Sequence, residues 1–346
     1  MRKKRGGAGP LILALLPILL FFSIALSVVF LVSPSSLLGI GLVGSPTAYR
    51  QIVNHYAADI VDSLNQGRTQ DADSTYQQAV GNLRRTGNDS YVDLAKEIVR
   101  RGRPADAVRY LTDAGKQSGD DSFSWDPMLW QTLSDAQRKA NDPEEAKRSE
   151  AEAEKRADSV RALVGKKAPD NMAQLTDRIF RLLQVGSYYS DVKDDTPSAL
   201  ALFREAVRIA PASEPLLAGN ALNALGYTLA DKGTTSDEFD QAAQYTKKAL
   251  DMLPDLPIVR DSYGWALFKK NDLAGARRVL REAVDASPQE PELHYHLGVV
   301  YAQIGLTSDA RLEFERALTI DPNLTDAQKA IQRLRLPPGQ GVLDHA

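Results

Sequence analysis

Small and apolar residues recur at a fixed interval along the second half of the chain. Tyr263-Gly264, Leu267, Ala276, Leu280, Ala283 and Pro288 are followed by Leu297-Gly298, Tyr301, Ala310, Phe314, Ala317 and Pro322, each matched pair 34 residues apart. The residue types suit a pair of packed helices. Gly264 and Gly298 fall where two helices must approach closely, and a side chain there would hold them apart. Ala276 and Ala310 are their small partners on a second helix. Ala283 and Ala317 are small where the next hairpin docks. Pro288 and Pro322 end the second helix, because proline lacks the N–H and clashes with the preceding turn.

A helix–turn–helix repeating every 34 residues resembles the tetratricopeptide repeat (TPR) family. Reading backwards extends the pattern. Gly219–Asp255 holds Leu225-Gly226, Leu229, Ala242, Ala249 and Pro254, with about four extra residues in its turn near Gly233–Asp237. Ile179–Pro211 holds Gly186, Tyr189, Ala199, Phe203, Ala206 and Pro211, with one extra residue in the turn Asp191–Pro197 and a short insertion at Ala212–Ala218. Pro127–Ala153 keeps Trp130, Leu133, Ser134, Ala146 and Ala153 but lacks the glycine. Asn88–Ala114 keeps Tyr91, Leu94-Ala95, Ile98, Ala107, Leu111 and Ala114, with a turn at Gly102-Arg103-Pro104, and the weaker Thr47–Arg85 keeps Tyr56, Ala72, Tyr76 and Ala79, with a turn at Gln66-Gly67-Arg68. The expectation is about seven helical hairpins, degenerate over 47–178 and clear over 179–322. Leu324, Ala327, Ile331 and Leu334 then form one face of a closing helix within 323–336, before a disordered tail over 337–346. The fold class is all-α: a helical-hairpin solenoid, right-handed as the resemblance implies, preceded by one N-terminal transmembrane helix. Asp142–Arg161 reads as a long helix with a solvated, ion-paired face.

The first 46 residues follow a different rule. Leu11–Ser33 is apolar and uncharged over 23 residues, about 34 Å as a helix against a bilayer core of about 30 Å. The basic cluster Arg2–Arg5 precedes it, and the next cation is Arg50. The positive-inside rule then places residues 1–10 in the cytoplasm and the repeats on the extracytoplasmic side of a bacterial cell membrane. A cleaved secretory signal is the competing reading, but its apolar core normally runs only about 7–15 residues. Residues 34–46 form a linker. Its Gly39-Ile40-Gly41-Leu42-Val43-Gly44 has the spacing of a dinucleotide fingerprint without the strand and helix that fingerprint requires.

Charge and composition narrow the chemistry. The 346-residue chain carries a net charge of −3, which becomes −7 once Arg2, Lys3, Lys4 and Arg5 are set aside. That acidity argues against nucleic acid as a partner. Cysteine is absent, so no disulfide, thiolate nucleophile or lipid-attachment cysteine exists. His294 and His296 are two apart on a helix and point to different faces, so they do not chelate one metal together. No metalloprotease, phosphate-loop or nucleophile-elbow motif occurs. No catalytic residue, metal or cofactor is expected.

What remains is a surface. The resemblance implies that the first helices of successive hairpins line a concave groove. Its outward positions are Asn220, Asn223, Tyr227 and Asp231, then Ile258, Asp261, Trp265, Phe268 and Lys269, then Glu292, Tyr295, Val299 and Gln303. Asn220, Asn223, Tyr227, Asp261, Trp265, Phe268 and Tyr295 are the candidate partner-binding residues. Aromatic anchors give contact area at low entropy cost, and an amide such as Asn223 both donates to and accepts from a peptide backbone. Trp265 and Tyr227 either face this groove or pack between neighbouring first helices. The carboxylate clamp of chaperone-tail-binding relatives is not expected, since Asp261, Ser262, Tyr295 and His296 occupy its positions. Asn223–Asp231 followed by Asp261–Trp265 is similar to the C-terminal repeats of bacterial envelope adaptor proteins with this fold. The expected function is therefore a membrane-anchored scaffold or adaptor that binds a protein partner or peptide segment. The alternative is a structural or assembly subunit of a larger membrane complex, reached through Leu11–Ser33.

Overall fold

The computed structural model describes residues 46–83, 90–117 and 126–334. The expected membrane span Leu11–Ser33, the basic cluster before it, nearly all of the linker and the tail lie outside the described residues. Among the described residues no helix is long and apolar enough to cross a membrane. The described residues hold fifteen α-helices. The chain divides into two units, 1–97 and 98–346.

In the first unit, α1 (Pro46–Asn65) and α2 (Thr69–Leu83) form a hairpin. Ile52, Tyr56, Ile60 and Leu64 on α1 and Ala72, Tyr76 and Ala79 on α2 are buried. Asn82 donates to the Tyr56 hydroxyl at 2.8 Å. The turn passes through Gly67 at φ 72°, a left-handed conformation that costs glycine nothing. Helix α3 (Ser90–Arg100) runs across the boundary between the units.

The second unit continues with α4 (Pro104–Gln117), α5 (Pro127–Lys139), α6 (Pro143–Arg161), α7 (Met172–Ser187) and α8 (Thr196–Ile209). Next come α9 (Pro215–Lys232), α10 (Ser236–Met252), α11 (Pro257–Lys269) and α12 (Leu273–Ala286), then α13 (Pro291–Gln303), α14 (Thr307–Ile320) and α15 (Thr325–Leu334). The pairs α5/α6, α7/α8, α9/α10, α11/α12 and α13/α14 are hairpins. First helices α7, α9, α11, α13 and the closing α15 lie side by side in sequence order. Helices α8, α10, α12 and α14 all stop two residues before Pro211, Pro254, Pro288 and Pro322, as the clash of proline with a helical predecessor requires. Ala327, Ala330 and Ile331 bury the inner face of α15.

The close approach at the repeat glycines is real and severe. A β-carbon on Gly186 would lie 2.3 Å from the Phe203 ring. On Gly226 it would meet Thr246 at 2.7 Å, on Gly264 Leu280 at 2.6 Å, and on Gly298 Phe314 at 2.6 Å. Each partner is on the second helix of the same hairpin. The α5/α6 hairpin manages without glycine through Ser134, which is fully buried and donates to the Ala146 carbonyl across the hairpin at 2.8 Å. The hydroxyl turns the tight contact into a hydrogen bond.

Two irregularities resolve differently from the sequence reading. The extra residues assigned to a turn near Gly233–Asp237 are largely helical. Helix α9 runs to Lys232 and α10 starts at Ser236, so only Gly233–Thr235 remains as connector, closed by a Thr235/Glu238 capping box. Likewise most of the Ala212–Ala218 insertion is the first turn of α9. Propensity and packing favour adding helix over leaving backbone groups without partners. The single extra residue near Asp191 is absorbed by a π-helical turn at Tyr188–Val192, where Lys193 N–H bonds the Tyr188 carbonyl. One residue added inside a helix is accommodated this way when both ends are pinned by packing. The solvated face of α6 is as expected, with Lys147–Glu144, Arg148–Glu145, Arg156–Glu152 and Arg161–Asp158 pairs.

Gly298→Ala should destabilise the C-terminal repeats by about 1–3 kcal/mol, the usual cost of overpacking. Gly81→Ala on α2 should gain about 0.5–1 kcal/mol, because nothing lies within 4 Å of its added β-carbon and glycine weakens helix interiors. Urea denaturation followed by circular dichroism compares the two; a neutral Gly298→Ala would contradict the packing account.

Candidate functional site

The candidate residues come from α9, α11 and α13, three adjacent first helices. On such a face every third or fourth residue of each helix points the same way. Asn220 is exposed, while Asn223, Tyr227 and Tyr295 are half-buried. Asp261, Trp265 and Phe268 are buried, at 1%, 7% and 9% exposure. Trp265 therefore packs between neighbouring first helices. Its ring stacks on His296 from α13 at 4.3 Å between centroids and on Phe268 at 5.0 Å. His296 also lies 6.5 Å from Tyr227 and 5.6 Å from Tyr295. One ring of α13 thus links aromatic groups from all three helices. Ile258, half exposed, sits near the start of α11.

His296 is the residue the sequence reading passed over. Its Nδ1 donates to Asp261 Oδ2 at 2.8 Å, both side chains being buried. Burial disfavours the charged ring, but the Asp261 carboxylate, with Asp231 and Glu292 further off, outweighs it and raises the pKa. A second buried pair sits on the same helix. His294 Nδ1 lies 2.6 Å from Glu313 Oε2, and Nε2 lies 3.0 Å from the Pro288 carbonyl. Both partners are ordinarily acceptors, which favours a proton on each ring nitrogen. Burial opposes that state, and the bonds to Glu313 and Pro288 overcome it, so this pKa also rises. Both pairs bridge helices of the array: α11 to α13 through His296, and α13 to α14 through His294. The signal available in sequence was that Asp261 and His296 are ionisable residues flanked by apolar and aromatic positions of the first helices.

Three polar atoms of this region are sealed from solvent without a hydrogen-bond partner: Asn223 Oδ1, Asp261 Oδ1 and Trp265 Nε1. Burial pushes the Tyr227 hydroxyl pKa up, with Asp231, Asp261 and Asp191 adding to it. Burial and Asp326 push that of Tyr295 to about 12, with Arg333 opposing and Asp231 adding. Lys269, half-buried, has its pKa lowered by burial, with Asp231 opposing. Among the described residues no group of three or more His, Asp or Glu side chains converges as metal ligands would.

Comparison with known proteins matches part of this chain to the tetratricopeptide repeat family. Residues 264–334 match that family. Over 117 residues, 34% of this chain, the sequence is 38% identical to the TPR repeat-containing protein PA4667 of Pseudomonas aeruginosa. The matched part is 18% of that protein's length, so the chain spans a small fraction of it. Among solved structures, a tetratricopeptide repeat protein from Parabacteroides merdae aligns over 82% of this chain and 98% of its own, at 12% identity and a TM-score of 0.44. PilW, described as a type IV pilus biogenesis factor, aligns over 70% of this chain and 96% of its own at 16% identity and a TM-score of 0.41.

The two buried pairs give a pH prediction with a definite sign. The folded rings hold their protons more tightly than unfolded histidine, whose pKa is about 6.5. Their stabilisation is complete below that value and is lost as pH rises through the higher folded pKa values. The C-terminal repeats should therefore melt at a lower temperature as pH is raised from about 6 to about 9. His294→Gln combined with His296→Gln should remove most of that slope in thermal circular dichroism.

Proposed function

We propose that this tetratricopeptide-repeat protein is a membrane-anchored scaffold or adaptor that binds a protein partner along the face formed by α9, α11 and α13 and performs no catalysis. The observation that carries the reading is the joining of Tyr227, Trp265, Tyr295 and His296 from three helices into one aromatic–polar cluster, buried at Trp265 and His296 and half-buried at Tyr227 and Tyr295. Exposed Asn220 and half-buried Asn223 and Tyr227 are the residues that reach a partner. Trp265, Phe268 and Asp261 hold the platform on which they stand. Asn223 offers an amide that can bond a peptide backbone in both directions.

Anchoring is argued from sequence alone. Leu11–Ser33 has the length and apolarity of a membrane span, and Arg2–Arg5 orients it with the repeats extracytoplasmic in a bacterial envelope. Tethering both molecules to one membrane raises their effective concentration, so weak groove contacts suffice.

Crosslinking in intact cells tests the binding role. Asn220→Ala with Asn223→Ala and Tyr227→Ala should cut recovery of the crosslinked partner about tenfold, equivalent to about 1.4 kcal/mol, with helix content unchanged. Unchanged recovery would remove the groove from the account and leave the role of a structural subunit in a larger membrane complex. For sidedness, protease added to intact spheroplasts should digest the repeats; full protection would reverse the orientation.

A further inference from the structure

We propose that the Asp261–His296 pair is a proton-operated latch on the candidate binding face: while His296 holds both ring protons the face stays shut, and loss of one opens it to a partner. This rests on the binding role given above and adds the regulation of that site.

The geometry centres on one ring. His296 Nδ1 lies 2.8 Å from Asp261 Oδ2, and the pair ties α13 to α11. The same ring stacks on Trp265 at 4.3 Å and lies 6.5 Å from Tyr227 and 5.6 Å from Tyr295. Aromatic groups of three helices therefore rest on or beside it. Asp261, Trp265 and His296 are all more than nine-tenths buried. Asp261 Oδ1, Trp265 Nε1 and Asn223 Oδ1 are sealed from solvent without partners. The polar atoms able to bond a ligand are thus out of a ligand's reach, and the face is shut.

The charge on the ring balances this arrangement. Among the described residues His296 is the one cationic group paired with Asp261, whose other oxygen is unbonded. The neighbouring charges are engaged elsewhere. On α9, Asp231 lies 3.8 Å from Lys232, which lies 3.7 Å from Asp194. On α11, the Lys269 ammonium lies 5.7 Å from the Trp265 ring centre. On α13, His294 is held by Glu313 of α14, which Arg316 also bonds. On α15, Asp326 pairs with Lys329 at 3.5 Å, and Arg333 acts on Tyr295. The charged residues of α12, Arg277, Arg278, Arg281, Glu282 and Asp285, are all exposed. Burial disfavours the charged ring, yet Asp261, with Asp231 and Glu292 further off, raises its pKa. A neutral ring can still donate through Nδ1. It leaves Asp261, however, as a buried anion with no countercharge and one unbonded oxygen, which is strongly destabilising. The cation–π attraction between ring and indole is lost as well. Relief comes when Asp261 reaches water or a ligand. That requires α11 and α13 to loosen and the half-buried Asn223 and Tyr227 to turn aside, which bares both oxygens and the indole N–H together.

Trp265 reports on the latch. In the full chain in detergent micelles, Trp125→Phe with Trp130→Phe leaves Trp265 as the one tryptophan. Its quenching by acrylamide should rise about threefold between about pH 6 and about pH 9, with helix content retained. His296→Gln should abolish the rise, and His294→Gln should keep it. Asp261→Asn should move the midpoint down to the ordinary histidine range near about 6.5. In permeabilised cells, photo-crosslinking from benzoylphenylalanine in place of exposed Gln303 should capture about fivefold more partner at the higher pH. A Trp265 signal that is flat, that follows His294, or that changes only as helix is lost overturns the latch. Equal capture at both pH values overturns it too. In either case the groove stands if capture still falls in Asn223→Ala/Tyr227→Ala. If capture ignores that double variant at both pH values, the groove reading falls and the latch with it.

Discussion

The fold depends on one close contact, repeated: a first helix pressed against its second helix at a position that admits almost no side chain. At Gly186, Gly226, Gly264 and Gly298 an added β-carbon would sit within 2.3 to 2.7 Å of the facing side chain. That distance sets the separation of each helix pair. Large residues on the second helix, Phe203, Leu280 and Phe314, then fill the space directly over the glycine. Because the same geometry recurs, successive hairpins present equivalent faces, and first helix meets first helix down the second unit. Local pairs and nearest neighbours carry the stability of such an array. Ser134 shows that the requirement is for closeness rather than for glycine, since a small side chain that bonds across the gap meets it too.

Between hairpins the contact changes character. Apolar burial supplies most of the attraction, yet one link between hairpins is a buried polar pair. His296 reaches back from α13 to Asp261 on α11, while His294 reaches within its own hairpin to Glu313 on α14. Taking charge out of water is costly unless it is paired and bonded. His294 meets that condition on both ring nitrogens, with Glu313 further bonded by Arg316. The Asp261–His296 pair meets it in part, since one carboxylate oxygen has no partner. Polar groups inside first helices therefore set the register of one repeat on the next. They also bring the aromatic rings of three helices together at the candidate site.

The backbone shows how insertions are absorbed by a packed array. One extra residue becomes a π-helical turn at Tyr188–Val192, and several extra residues lengthen α9 and α10. In both cases the helices stay in contact and the irregularity is pushed into hydrogen bonding along the axis. The left-handed turn residues follow a related economy. Gly102, Asn141, Asn271 and Gly305 all have positive φ two residues before a second helix starts, a place where glycine or asparagine is tolerated and most other residues are not.

Much of this was legible in the residue order. Small residues spaced 34 apart in the last two repeats, prolines after the last four second helices and turn residues between helices pointed to the helical hairpins and the closing helix, because those features act within one hairpin. The candidate site was legible only as positions. That Asn223, Tyr227, Trp265 and Tyr295 share a face is what the family resemblance implies. Trp265 and Asp261 being buried, and His296 being the ring that joins them, does not follow from it. Those outcomes depend on the rotation of one hairpin against the next, set by packing over the whole interface. Whether an ionisable residue is solvated, paired or left with an unpaired oxygen is a property of its surroundings, and only the tertiary structure assembles those surroundings.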